Sequence, residues 1–241
     1  MITLDRFDVT PAVLANNIQH SGHEDGELLI ADNGSTDKRI VEFVQDQVKP
    51  AYHRVNSVNE GVGRAFNQLF LRSTGEYICL LGNDILLPPN WAKTMIAYLD
   101  NIPNPGICGI DWGHSGMPPI DRKFGVVAHW LTPVLDKVFG VCMFKRHLIE
   151  ELGFFCDAFY PYGLEDSDFN NRVNLAGFNS FYVPNTILKS NHIVHDVGED
   201  SDYRRMKDES LTRNAQLMGE RVKNYHEIGI RETLPTLRDP L

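Results

Sequence analysis

The sequence has no apolar run long enough to cross a membrane. Its longest apolar stretches, such as Tyr77–Leu81 and Gly125–Leu131, fall far below the ~18 residues a membrane helix needs. The start, Met1-Ile2-Thr3-Leu4-Asp5-Arg6, carries no apolar signal core. Cysteine is scarce: Cys79, Cys108, Cys142 and Cys156 sit singly inside apolar stretches, with no CxxC pair. That pattern reads as reduced core packing and argues against zinc or a disulfide framework. Positive charge is in deficit, with 23 Lys+Arg against 32 Asp+Glu and a net charge of −9. Such a surface works against duplex nucleic acid as a partner, because that affinity comes from phosphate neutralisation. The expectation is a soluble, cytoplasmic protein.

What is present is globular. The 241 residues are 42% apolar, 10% aromatic and 23% charged, which fits one large domain or one domain with an appended segment. Between Leu28 and Leu99, short continuous apolar runs alternate with helical periodicity, the pattern of βα units and a mostly parallel sheet. Leu28–Ala31 and Tyr77–Leu81 read as buried strands. A helix with Ile40 and Val44 inward follows the first, and a helix over Arg64–Ser73, closed by Gly75, precedes the second. Pro88-Pro89-Asn90 opens a further helix carrying Trp91, Met95 and Leu99. From Gly106 to Phe144 irregular strands are expected. A helix over Lys145–Leu152, an aromatic loop (Phe154 to Tyr162), a helix from about Asp166 to Ala176 and strands at Ser180–Val183 and Thr186–Leu188 come next. The charged stretch from Asp200 to Tyr225 reads as a helical arm.

In an open parallel sheet, ligands bind outside the carboxyl ends of the strands. Two such ends are polar here, Asp32-Asn33 and Gly82-Asn83-Asp84. Either alone is an ordinary turn or N-cap; both on one face point to a site. Between them, Asn59-Glu60-Gly61-Val62-Gly63-Arg64 feeds a helix whose N-terminus could attract phosphate, with Arg64 adding a charge-assisted contact. The stretch has neither the GxGxxG nor the GxxxxGK spacing, so NAD binding and ATP hydrolysis lose support. Asp166 opens a helix after the aromatic loop, where it is either an N-cap or a general base.

Three blocks in order resemble the GT-A-fold glycosyltransferases of family two, particularly the rhamnosyltransferase-like members. Asp32-Asn33-Gly34-Ser35-Thr36-Asp37 is similar to that family's D-[DN]-G-S-T-D. Asn59-Glu60-Gly61 through Gly82-Asn83-Asp84 to Trp91 is similar to its N-x-G … N-N-D … P-x-W. Gly140–Arg146, Leu152–Asp157 and Glu165-Asp166-Ser167-Asp168 with Arg172 resemble its acceptor-side block. The resemblance implies an α/β GT-A (Rossmann-like) fold with a mostly parallel central sheet. It also implies an inverting, metal-dependent transferase moving a sugar from a UDP- or dTDP-sugar to an acceptor hydroxyl on a glycan, a protein or another molecule.

By the same resemblance, Asp84 and His195 would hold Mn²⁺ or Mg²⁺. His195 is preferred to His192 because His195-Asp196-Val197-Gly198 is similar to H-x-x-G. Asp166 would be the base and Glu165 a supporting group. Asp168 is placed to pair with Arg172 one helical turn on. Asp32, Asn33, Asn59, Gly61, Arg64 and Asn83 would contact the nucleotide, with Asp32 and Asn33 reading a pyrimidine. Thr3 and Asp5 would join them, since Ile2-Thr3-Leu4-Asp5-Arg6 stands where the family has a run ending T-Y-N-R, here shorter and more polar. Trp112, His114, Trp130 and the aromatic loop could stack an acceptor sugar or pack the core. The implied organisation is a GT-A domain over 1–198, divided into a nucleotide-sugar half (1–105) and an acceptor half (106–198). A charged helical extension over 199–241 would offer a surface for homo-oligomer contact. The rivals are a nucleotidyltransferase, whose basic Gly-rich first turn is not found in Asp5-Arg6-Phe7-Asp8, and a non-catalytic sugar-nucleotide-binding protein.

Overall fold

The computed structural model describes residues 1–110, 127–128, 140–183, 187–193 and 202–234. The expectations placed on Trp112, His114, Trp130 and His195 lie outside the described residues.

The chain opens with β1 (Ile2–Thr3) and α1 (Thr10–Gln19), which buries Val13 and Leu14. Then come β2 (Leu29–Asp32), α2 (Lys38–Phe43) running on into one π-helical turn, and β3 (Tyr52–Val55). These strands form a parallel sheet in the order β1-β2-β3, with Thr3 opposite Asp32 and Asp32 opposite Val55. Ile30 and Ala31 of β2 are wholly buried, which explains why that run is apolar on both faces. Helix α3 (Val62–Phe70) packs Ala65 and Leu69 against this sheet. It is shorter than the expected Arg64–Ser73, and Gly75 is not its cap. Instead the chain turns at Thr74-Gly75, whose N–H groups donate to Glu27 Oε1 at 2.5 and 3.0 Å.

Next are β4 (Tyr77–Leu80), β5 (Ile85–Leu86), α4 (Trp91–Asn101), β6 (Pro105–Ile110), β7 (Val127–Ala128) and β8 (Cys142–Lys145). Helices α5 (His147–Leu152) and α6 (Glu165–Leu175) precede β9 (Asn179–Val183) and β10 (Asn191–His192). The larger sheet runs β4-β8-β6-β9-β7; β6 and β9 are parallel, and its other pairings are antiparallel. Ile187 and Leu188, expected in a strand, form a turn and bend instead, and Leu188 is buried in the core under α4. The aromatic loop contributes largely to the core. Phe155 packs edge-on to Phe66 and Phe70 and against Phe169, while Tyr160 stays half exposed.

The cysteines are unpaired thiols, and burial pushes Cys79 up to about 12. Helix α7 (Asp202–Glu227) lies against α6. Its buried residues Ser210, Asn214 and Tyr225 lie on the face turned to its own chain, which removes that face as a homo-oligomer contact. Among the described residues, no helix is long and apolar enough to cross a membrane.

Candidate active site

At the carboxyl end of the parallel sheet, the Asp32–Asp37 turn is built by its own side chains. Asp32 is fully buried. Its Oδ1 accepts the Ser35 N–H at 2.9 Å, and its Oδ2 accepts the hydroxyls of Thr3 at 3.0 Å and Ser35 at 2.5 Å. Asn33 is also enclosed. It donates to Asn59 Oδ1 at 2.9 Å and accepts from Asn56 and from the Glu60 N–H at 3.2 and 3.1 Å. Asp5 Oδ1 accepts from Thr36 N, Thr36 Oγ1 and Asp37 N, while the Asp5 N–H donates to Ser35 Oγ at 2.7 Å. Thr3, Asp5, Asp32 and Asn33, expected as nucleotide contacts, therefore hold the shape of the turn. Gly34, at φ +87, fits because a Cβ there would stand 2.5 Å from the Val58 carbonyl carbon.

The start of α3, where a phosphate site is expected, is bonded to the loop at residues 160–161. The Val62 N–H donates to the Pro161 carbonyl at 3.2 Å, and Asn59 Oδ1 accepts the Gly61 N–H at 2.9 Å. A Cβ on Gly61 would meet the Tyr160 ring at 2.9 Å. Arg64 pairs with Glu60 at 3.3 Å. The structure thus spends Asn59, Gly61 and Arg64 on a seam joining the nucleotide-side loop to residues 160–161, which the Tyr160 hydroxyl reinforces by donating to the Asn59 carbonyl at 3.2 Å.

Asp84 lies just before β5. β10 pairs antiparallel with β5, His192 opposite Ile85, and the Ile193 N–H donates to the Asp84 carbonyl at 2.8 Å. The backbone at His192 and Ile193 therefore runs beside Asp84. A Cβ on Gly82 would stand 3.1 Å from Asp84 Oδ1, so glycine at this position leaves room for that carboxylate. Asn83 Nδ2 reaches Thr10 Oγ1 at 3.5 Å. Among the described residues, no group of three or more metal-ligating side chains forms. A single carboxylate at a strand end suits Mg²⁺ or Mn²⁺, hard ions that keep waters and share phosphate oxygens.

On the acceptor side, Glu165 opens α6 and Asp166 follows as its second residue. The N-cap position belongs to Leu164, which is left-handed at φ 77, so Asp166 is not the cap. Asp166 Oδ1 accepts the Ser167 N–H at 2.6 Å and the Ser167 hydroxyl at 3.1 Å. The Tyr162 phenol is held above its ordinary value first by burial, then by the charges of Glu165, Asp166 and Asp84. The Lys207 ammonium of α7 lies 4.5 Å from the Tyr162 ring centre and 5.5 Å from that of Tyr203. Arg6, left-handed at φ 60, has an enclosed Nη2 without a hydrogen-bond partner among the described residues. Sequence reasoning named Tyr162 with the aromatic loop but did not single out Tyr203, Lys207 or Arg6. Only the i,i+4 pair Tyr203/Lys207 left a trace in the sequence, one turn apart at the start of the charged helix.

The fold is of the GT-A type, a parallel β1-β2-β3 sheet with polar residues at its carboxyl end together with a mixed five-stranded sheet. The glycosyl transferase family 2 profile matches residues 1–153, and the chain belongs to that family. A second profile, the N-terminal domain of galactosyltransferase, matches residues 132–196. An uncharacterized glycosyltransferase of Nostoc sp. is 32% identical over 83 residues, 34% of this chain and 26% of its own length. An uncharacterized protein of Sinorhizobium fredii is 22% identical over 92% of this chain and 27% of its own. The chain thus spans about a quarter of these relatives. Among solved structures, the Pyrobaculum calidifontis mannosyltransferase in complex with GDP-Man and Mn²⁺ superposes with a TM-score of 0.64 at 18% identity, covering 97% of this chain and 70% of that one. GalNAc-T7 with UDP, GalNAc and Mn²⁺ gives 0.63 at 13% identity, covering 96% and 56%.

Proposed function

We propose that the chain is an inverting glycosyltransferase that moves a sugar from a nucleoside-diphosphate sugar to an acceptor hydroxyl. The observation that carries this reading is the match of residues 1–153 to family 2, with Asp84 at the head of β5 beside the β10 backbone. Asp84 would hold the divalent ion, with His195 as the second protein ligand. When bound, the ion supplies charge neutralisation for the leaving diphosphate. Asp166 takes the proton of the acceptor hydroxyl as its oxygen attacks the anomeric carbon from the face opposite the leaving group, inverting that centre. Glu165, enclosed at the helix start and packed against Gly63, fixes the approach of α3 to α6.

A UDP- or dTDP-sugar is the donor implied by the sequence resemblance. Asp32 and Asn33, the side chains proposed to read a pyrimidine, are fixed in place by the bonds of the turn, and a binding measurement tests the base preference. The deciding experiment measures melting temperature with UDP, dTDP, CDP and GDP, with and without Mn²⁺, and nucleotide release from the matching sugar donors. Mn²⁺-dependent stabilisation by at least one diphosphate, with slow release from its sugar donor, is expected. Stabilisation by none of the four overturns the reading, binding without release favours a non-catalytic sugar-nucleotide-binding protein, and a larger shift with GDP overturns the pyrimidine preference.

A further inference from the structure

Helix α7 touches the loop that precedes Glu165-Asp166 at its backbone. Asn214 is buried, and its Nδ2 donates to the carbonyls of Tyr162 at 3.0 Å and Gly163 at 2.9 Å. The neighbouring Arg213 guanidinium donates to the Tyr160 carbonyl. Those carbonyls lie outside any helix or sheet ladder, and the Gly163 carbonyl, in a buried bond, needs a partner from elsewhere in the chain. The loop also carries two consecutive left-handed residues, Gly163 at φ 89 and Leu164 at φ 77, a conformation a leucine adopts only when its surroundings impose it. Leu211 of α7 packs so closely there that a Cβ on Gly163 would stand 2.6 Å from its Cδ2. Farther along, Arg221 and Tyr225 of α7 bond Asp168 inside the first turn of α6. Helix α7 thus grips the start of α6 on both sides of Glu165 and Asp166.

We infer that α7 is part of the acceptor side of the cleft, and that Asn214, assisted by Arg213, is a positioning residue that sets Tyr162 and Asp166 in working geometry. The inference rests on the reading of Asp166 as the base. Asn214 touches neither substrate nor the reacting atoms; it acts by fixing the two peptide groups immediately before Leu164. If the loop relaxes, Asp166 shifts relative to the sugar, and a displacement of about 1 Å in such a constellation costs on the order of 10²-fold in rate.

The test uses the full chain and three variants. Asn214→Asp keeps the side-chain shape but replaces both donors with an acceptor. Arg213→Met removes one tie from an exposed position. Thr212→Ala, on the same turn, loses only a bond to the Asp208 carbonyl and serves as control. Hydrogen exchange is followed over residues 160–169, together with nucleotide affinity in Mn²⁺ and kcat and KM for nucleotide release from a sugar donor. In Asn214→Asp we expect faster exchange over 160–169, unchanged nucleotide affinity and a kcat lower by on the order of 10²-fold. Arg213→Met should shift the same readouts less, and it decides the matter if Asn214→Asp does not fold. Thr212→Ala should match the parent. A merely structural role would lower the melting temperature but leave kcat of the folded protein intact, and that result overturns the inference. So does unchanged exchange over 160–169. A parent protein that releases no nucleotide from any donor instead overturns the reading of the site on which the inference rests.

Discussion

Arg221 donates its Nε–H to Asp168 Oδ1 at 2.7 Å across fifty-three residues of sequence, and the carboxylate that receives it is wholly buried. The same carboxylate accepts Arg172 at 3.0 Å and the Tyr225 hydroxyl. Arg172, itself fully enclosed, also donates to the carbonyls of Gly153 at 3.1 Å and Phe154 at 2.8 Å. One anion thus ties α7, α6 and the loop after α5 together. Asp168→Asn would leave two guanidinium groups facing each other with little compensation. The expected loss is about 3–5 kcal/mol of folding free energy, the range for breaking a buried pair from one side. Urea denaturation measures it, and Asp168→Asn combined with Arg221→Met should lose less than the sum of the two single changes, because the residues touch. A loss within experimental error of zero would show that the cluster contributes nothing net.

The same cluster sets a pH dependence on the alkaline side. The Tyr225 phenol is pushed well above its ordinary value, first by burial and then by the Asp168 charge. The folded state therefore keeps this proton at pH values where the unfolded chain has released it. Its contribution to stability is complete below about pH 10, the unfolded value, and declines as pH rises beyond that. Melting curves between pH 9 and 11 should show a steeper loss for the parent than for Tyr225→Phe, which removes the titrating group. Equal slopes would show that Tyr225 titrates as it does in water.

Asp84 offers a direct test of the proposed metal site. Asp84→Ala should abolish the Mn²⁺-dependent part of nucleoside-diphosphate affinity while leaving the metal-independent part. His195→Ala should weaken the Mn²⁺ dependence and His192→Ala should not, with isothermal titration as the measurement. The reverse order for the two histidines would move the second ligand to the residue paired with Ile85 in the β5–β10 ladder. Equal Mn²⁺ dependence in the parent and Asp84→Ala would remove Asp84 from the site.

What the sequence made legible was set by how local each signal is. Strand β2 shows as LLIA because both its faces are buried, and the bond from Arg172 to Asp168 follows from an i,i+4 spacing. The other two partners of Asp168 do not, since Arg221 and Tyr225 sit on a helix whose sequence reads as a solvated arm. Helix α1 escaped notice because Asn16 and Asn17 interrupt its apolar stripe. The structure shows why they are polar: Asn17 donates to the Ile85 carbonyl and accepts the Leu87 N–H, both at 2.9 Å, taking the place of a neighbouring strand for the segment after Asp84. The polar strand ends were legible as places. Which of their atoms are engaged was not, because Asp32 and Asn33 bond to residues up to 29 positions away.

Asp166 separates chemistry from architecture in one substitution. It does not occupy the cap position, and its Oδ1 accepts the N–H and the hydroxyl of the adjacent Ser167. An asparagine carbonyl can accept both of those bonds. What Asp166→Asn removes is one negative charge from the first turn of α6, where Glu165 and Asp168 remain. Loss of one helix-dipole partner costs roughly 0.3–1 kcal/mol, so the variant should fold and bind nucleotide with Mn²⁺ like the parent. As the base it would lose about 10²–10⁴-fold in turnover, because an amide cannot take the hydroxyl proton. Nucleotide release under saturating donor, alongside a melting curve on the same preparation, makes both comparisons at once. A folded Asp166→Asn protein that turns over at the parent rate would assign proton abstraction to another carboxylate of the cleft. Glu165 would then be tested next, since Asp168 is already held by two arginines and a tyrosine.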